Sequence, residues 1–259
     1  MPPATLLLAT ERTEFDAGAE RIALALAQQL QVPVRVVCPL ETNPELIAVA
    51  PDLAARQEAC LLRELDTLAA QARAARVTMA TAVRRGEGVA REIAAAAREA
   101  AADLLVMRRL GKRGWLARLT VGEIASQVAA QSPCPLLLVP RDAQPWTARA
   151  LAVLTGQQIG PLAHLVSLLG VGSTVEVACF GGASVPPAVE QAARAAGIAL
   201  HPSVAAGDWA QALPSLARRD VQLVALPLTA AAVGHGKLAS SYEAMLGALA
   251  CPALLVRAD

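Results

Sequence analysis

Two short stretches decide the fold: Ala72–Val77 (ARAARV) and Ala193–Ile198 (ARAAGI). Each is followed at the same spacing by a valine and a glycine, Val83 and Gly86 after the first and Val204 and Gly207 after the second, a constant offset of 121. Further matches appear on either side in the same order. Upstream, Val34–Cys38 matches Val175–Cys179, and the opening Ala4–Thr10 (ATLLLAT) matches Arg149–Thr155 (RALAVLT). Downstream, Cys134–Val139 (CPLLLV) matches Cys251–Val256 (CPALLV). Ordered self-similarity of this kind marks duplication of a structural unit. The join is the polar, proline-containing stretch RDAQPWTA at 141–148. The expected domains are residues 1–140 and 149–259, the second shortened and degenerate.

Within each copy, short apolar runs alternate with helical patterns. In the longest helical pattern Leu61, Leu65, Leu68, Ala72 and Ala75 form one stripe. Short, continuously apolar strands between helices imply a parallel sheet covered on both faces. The expected fold class is therefore α/β, with two tandem doubly wound parallel five-stranded sheets related by a pseudo-two-fold axis. Cys38 to Val77 spans 39 positions but Cys179 to Ile198 only 19, so the second copy has lost most of the loop after its second strand. The apolar strand at Leu136–Val139 needs cover, and the similar Ala253–Val256 offers it. An intramolecular pseudo-dimer follows, with room for a further homodimer.

Composition narrows the function. A formal net charge of +1 over 259 residues argues against duplex nucleic acid or an anionic membrane as partner. Six aromatic residues (three Trp, two Phe, one Tyr) leave little for base stacking. The apolar runs last four to six residues, far short of the roughly 20 that a membrane span needs. Met1–Thr10 lacks a basic start and a long apolar run, so it reads as a strand and not a signal peptide. Five scattered cysteines read as buried thiols of a reducing, cytoplasmic compartment. Cys38 and Cys179 sit at equivalent strand ends, as small core residues or as redox-sensing thiols. His164, His201 and His235 lie in different elements without metal-ligand spacing. No nucleophile elbow or Walker loop occurs. No catalytic residue and no metal site is expected.

Open parallel sheets take ligands at the carboxyl ends of their strands. In the first copy that selects Thr10–Glu14 and the loop Arg108–Val121 (RRLGKRGWLARLTV). The loop carries Arg108, Arg109, Lys112, Arg113 and Arg118, with Gly111, Gly114 and then Gly122 ahead of a helix. Glycines and a helix N-terminus suit a phosphate. A solvated basic loop whose glycines serve turns is the plainer alternative, and Trp115 in it either caps the site or packs between the copies.

At this point the chain resembles a tandem universal stress protein. The resemblance rests on the repeat, the strand order, the closing Cys-Pro strands and the loop, where the family carries G-x2-G-x9-G-[ST]. It covers the first copy fully and the second more weakly. It implies an adenine-nucleotide cleft, ATP with Mg when occupied, in the first copy. Thr10, Glu11 and Val37 would serve the adenine side, and Arg108, Gly111, Gly114, Gly122, Glu123 and Ile124 the phosphate side. Several positions depart from the ATP-binding pattern: Arg108 replaces the first motif glycine, the spacer is one residue longer, and Glu123 replaces the hydroxyl residue. Glu11 stands for the usual Asp, with Arg12 beside it. Glu123 brings its own negative charge to the helix start, where it competes with a phosphate. In the second copy Ala239 and Ser240 align with Gly122 and Glu123, and Gly156 with the acidic position; Lys237 and Ser240 read as a solvated side chain and an N-cap. The implied function is a non-enzymatic stress-response protein sensing ATP through the first domain. The alternative is a scaffold that binds no nucleotide and works through protein contacts.

Overall fold

The computed structural model describes residues 2–41, 51–86, 88–109, 121–156, 158–217 and 220–257. The first half runs β1 (Leu6–Ala9), α1 (Ala17–Leu30), β2 (Val34–Glu41), α2 (Pro51–Ala74), β3 (Met79–Gly86), α3 (Val89–Glu99), β4 (Leu104–Arg108), α4 (Glu123–Gln131) and β5 (Leu136–Val139). The second runs β6 (Arg149–Thr155), α5 (Gly160–Leu168), β7 (Thr174–Phe180), α6 (Pro187–Ala195), β8 (Ala199–Val204), α7 (Trp209–Leu216) and β9 (Leu223–Leu228). It ends with a small hairpin of β10 (Val233–Gly234) and β11 (Lys237–Leu238), then α8 (Ser240–Gly247) and β12 (Ala253–Arg257). No helix among the described residues is long and apolar enough to cross a membrane.

The strands make one ten-stranded sheet, ordered β3-β2-β1-β4-β5-β12-β9-β6-β7-β8. Pairing is parallel within each half and antiparallel where β5 meets β12. The closing apolar strand of each half thus covers that of the other, which removes two exposed edges. At this seam Leu137 lies opposite Leu254, two residues related by the same offset of 117 that aligns Cys134 with Cys251. A two-fold axis sets each residue on it against its own equivalent, so the pseudo-axis passes through this pair. Ser126 and Glu243 share that offset, and the Ser126 hydroxyl donates to Glu243 Oε1 at 2.5 Å. Two apolar cores result, one on each face of the sheet. Each crosses the seam: one joins Leu6, Leu8 and Ile22 to Leu137, Leu254 and Leu162, the other Leu7, Ile93 and Leu138 to Leu151, Val224 and Leu255.

Arginines clamp the seam at its ends. Arg257 donates to the Ser132, Ala129 and Ala130 carbonyls at the C-terminus of α4. Arg109 donates to the Leu249 and Cys251 carbonyls beyond α8, at 2.6 and 3.0 Å. Cations suit helix C-termini, where carbonyls lack intrahelical donors.

The duplication holds at the level of single bonds. Val77 N–H donates to Ala72 O at 2.8 Å, and Ile198 N–H to Ala193 O at 2.9 Å. Both helices end on a left-handed residue, Arg76 (φ 58) and Gly197 (φ 68). This alignment matches the nine residues of α6 to the last nine of α2, which has 24. The second half has therefore lost the front of that helix as well as the loop. Val83, packed against the core, has Val204 as its counterpart, 91% exposed. β8 is an outer strand, and its Pro202 faces the open edge, because Ala199 and Ala205 direct their N–H groups to β7. A proline there withholds the donor that another strand would pair with.

Strand register corrects one sequence match. Leu7 pairs with Leu105 as Leu151 pairs with Val224, and Ala9 with Val37 as Val153 pairs with Ala178. Ala9 therefore corresponds to Val153, one position short of the match read from ATLLLAT and RALAVLT. Leu6 and Leu8 share a core face with Ala150 and Ala152, and a slip of one residue would turn that set over. Thr155, not Gly156, stands where Glu11 stands.

Candidate functional site

β1 lies between β2 and β4 in the sheet. The chain leaves β1 toward one neighbour and returns on the other side, so a crevice opens at the carboxyl ends of β1 and β4. Thr10, Glu11 and Arg108 lie there; Val37 joins only through its carbonyl, which accepts from the Thr10 N–H, while its side chain packs in the core on the other face. The side chains, however, are already committed to one another.

Arg108 is the last residue of β4, and its side chain reaches across to the loop after β1. Nη2 donates to Glu11 Oε1 at 2.5 Å. Nη1 donates to Asp16 Oδ2 at 3.1 Å and to Thr13 Oγ1 at 3.3 Å. The Arg108 side chain is 10% exposed and that of Asp16 1%. Asp16 also accepts from the Thr13 N–H and hydroxyl, at 3.0 and 2.6 Å. A second cluster adjoins it. Thr10 Oγ1 donates to Glu20 Oε1 at 2.6 Å, Arg12 Nη1 pairs with the other Glu20 oxygen, and Arg12 Nε donates to Glu64 O of α2 at 3.1 Å. Arg12 holds a left-handed φ of 56, which a side chain adopts at a cost and which its contacts with Glu20 and Glu64 offset. Two arginines thus bind α1, α2, β1 and β4 together where a ligand would enter.

Cys38, within β2 and not at its end as the sequence suggests, lies beside this network. Burial first, then the charges of Glu11 and Asp16, push its thiol up to about 12. A thiol so raised stays protonated and unreactive, which favours the core reading over the redox one.

Neighbouring strand residues face opposite ways, so Arg109 turns from the crevice into the seam. It is 3% exposed, and burial lowers its guanidinium to about 10. Neither arginine at the end of β4 is a solvated loop residue. Gly122 is the N-cap of α4, its N–H given to Arg109 O at 2.9 Å, and as a glycine it brings no side-chain cap of its own. Glu123 opens the first turn and accepts from Gln127 Nε2 at 3.5 Å; Ile124 packs on the core. Gly111 and Gly114 lie outside the described residues, with Lys112, Arg113, Trp115 and Arg118. Asp16 and Glu20 went unread in the sequence. Their signal was a charge balance: acids at 11, 16 and 20 accompany the arginines at 12 and 108.

The second half carries apolar groups at the corresponding end of its strands. Register sets Pro227 in the place of Arg108. Tyr242, in the first turn of α8, donates its hydroxyl to Pro227 O at 3.0 Å. Its ring meets Trp209 edge-on, with centroids 5.9 Å apart, and shares a core cluster with Phe180. Burial holds the Tyr242 phenol far above its ordinary value. Ser240 is the first helical residue, and the N-cap falls to Ala239. Among the described residues no three of His, Cys, Asp and Glu group as metal ligands.

The universal stress protein family model matches residues 4–140. The chain belongs to the universal stress protein family. It is a tandem member, since the fold of the matched region recurs in the second half. A universal stress protein from Archaeoglobus fulgidus DSM 4304 is similar over 98% of this chain and 96% of its own, at TM-score 0.73 and 14% identity. A functionally unknown protein from Pseudomonas aeruginosa PAO1 is similar over 99% of this chain and 93% of its own, at TM-score 0.64 and 18% identity. A universal stress protein solved in complex with cAMP matches 55% of this chain, at TM-score 0.43 and 21% identity. The first two likenesses establish the fold. No match is found among curated proteins.

ATP does not fit the crevice as its residues stand. The Glu11 carboxylate that would accept from an adenine amine is bound by Arg108, whose side chain occupies the crevice. Glu123 adds a negative charge at the helix start where a phosphate would sit.

Proposed function

We propose that this universal stress protein works without a nucleotide, as a non-enzymatic cytoplasmic protein that acts through contacts with other proteins. The observation that carries this is Arg108, which spends its guanidinium on Glu11, Asp16 and Thr13 inside the first-half crevice. A nucleotide would have to break that buried network before binding, and buried charges separated from their partners are costly. At the corresponding end of the second half Tyr242, Trp209 and Phe180 pack together on the core of the sheet's other face. The internal pairing of β5 with β12 leaves the outer surfaces of both halves for partners. ATP sensing through the first half is the reading this one competes with.

The test is thermal unfolding of the purified protein with and without Mg-ATP. A ligand present at 100 times its dissociation constant stabilises by about 2.7 kcal/mol, a shift of several degrees. The expected result at millimolar Mg-ATP is no shift and no released phosphate. A saturable shift in the unmodified protein overturns the proposal.

A further inference from the structure

We propose that two copies of this chain pair through the outer edge of β3, and that Pro202 on β8 limits the assembly to a dimer. The sheet ends at β3 and β8, because β5 and β12 pair inside the chain. A strand edge with no neighbour invites pairing with another chain. The two ends are not alike.

β8 is closed to a further strand. Its outward backbone groups belong to Leu200, Pro202 and Val204, and the proline has no N–H where a partner needs a donor. β3 carries no such block. Val34 N–H donates to Thr78 O at 2.9 Å, so Thr78, Ala80, Ala82 and Arg84 turn their backbone groups to β2. Met79, Thr81, Val83 and Arg85 turn theirs outward, where the sheet has no further strand. Ala80, Thr81 and Ala82 are exposed, and residues 79–83 carry no charge.

This edge is complementary to itself. Antiparallel pairing about Thr81 sets Thr81 opposite Thr81 and Met79 opposite Val83, outward groups against outward groups. A strand rises about 3.3 Å per residue, so the two Arg85 residues stand about 26 Å apart and do not repel. Each keeps Glu58 of its own α2, and Arg84 keeps Glu92 and Glu99 of α3. α2 adds apolar cover at the junction. Its Glu58 reaches Arg85 on the outer side, whereas Glu64 O meets Arg12 on the inner side. Leu62 lies one turn on from Glu58, on the same outer side, and is 48% exposed. A two-fold axis through Thr81 brings both Leu62 side chains to the junction. Pairing of β3 with β8 of another copy would instead build an open filament, and Pro202 withholds the donor for it. Pairing at β3 is independent of nucleotide binding.

The experiment is analytical ultracentrifugation of the full-length protein over about 1–200 μM, the range in which small interfaces associate. The expected result is a reversible monomer–dimer equilibrium with no larger species. Thr81→Pro removes an outward donor, and Leu62→Glu sets two charges at the junction. Each variant, its fold checked by circular dichroism, should dimerise at least about tenfold more weakly. Should Thr81→Pro impair folding, Leu62→Glu decides. Val204→Asp, on the other edge, should leave the equilibrium unchanged. Thr81→Cys in a Cys60→Ser background should cross-link to twice the chain mass on mild oxidation, because residues opposite each other lie within disulfide reach. A protein that stays monomeric throughout overturns the proposal and leaves the edge to a strand of another protein. A dimer that survives both Thr81→Pro and Leu62→Glu, or that Val204→Asp weakens, lies elsewhere and overturns it. Open-ended polymers overturn the role of Pro202.

Discussion

Gly18 is the position where sequence and tertiary structure make opposite forecasts. It lies in the first turn of α1, where alanine is the better helix former by up to about 1 kcal/mol. On that ground Gly18→Ala should stabilise. In the folded chain a Cβ on Gly18 would sit 2.0 Å from Pro140 O, 2.7 Å from Arg141 O and 2.9 Å from Arg141 C. All three are backbone atoms, so no side chain can swing aside. Relief to an ordinary contact requires α1 and the end of β5 to separate by more than about 1 Å, in a core packed at crystal-like density. That separation also strains Arg21 Nη1 to Ala143 O, at 2.5 Å, and Gln29 Nε2 to Leu168 O, at 3.2 Å, which tie α1 to the linker and the second half. Overpacking of this kind costs typically 1–3 kcal/mol or more. A clash with backbone this close belongs at the upper end of that range, so after subtracting the helix preference a net loss of about 2 kcal/mol remains, or roughly 4–8 °C in Tm for a chain of this size. Urea unfolding followed by circular dichroism measures it. Gly170→Ala is the control, since only Gln29 Nε2 comes within 4 Å, at 3.9 Å, and it should leave the midpoint unchanged. A Gly18→Ala midpoint equal to or above that of the unmodified protein, with the control unchanged, would refute the close approach of α1 to the linker.

Four further outcomes follow. Ser126→Ala leaves the Leu238 N–H and the Glu243 carboxylate without their shared partner, costing about 1–3 kcal/mol; a double-mutant cycle with Glu243→Gln should show strong coupling, and additivity would remove this contact from the seam. Arg257→Ala withdraws the donors from the C-terminus of α4 and should lower stability by about 1–2 kcal/mol, read as a lower urea midpoint. Cys60 is exposed and Cys38 buried, so iodoacetamide should label the first and spare the second in the native protein. Since Cys38 is held at about 12 against 9.0 for the free thiol, the folded state retains its proton while the unfolded state loses it, and stability should fall as pH rises through 9 toward 12. Rapid native labelling of Cys38 would contradict its burial.

The sequence alone determined the repeat, the α/β class and the covering of Leu136–Val139 by Ala253–Val256. These rest on local pattern: apolar runs have a period of their own, and a duplicated chain preserves spacing wherever nothing is inserted. The family, too, was legible from those spacings. Where spacing changed, pattern failed. The match of Thr155 to Thr10 slipped by one, because two apolar strands look alike in either register and only the two core faces, Leu6 with Ala150 against Leu7 with Leu151, distinguish them. The candidate site shows the same division. The sequence named Thr10, Glu11, Val37, Arg108 and Gly122, and flagged Arg108 and Glu123 as departures. It left open whether Arg108 faces a phosphate or solvent. The structure gave a third answer, because Arg108 and Asp16 are 92 residues apart in the chain yet 3.1 Å apart in space. Charges find each other across a sheet only after the strands have ordered, so an ion pair between distant elements is a property of the packed molecule, while the residues that make it are a property of the chain.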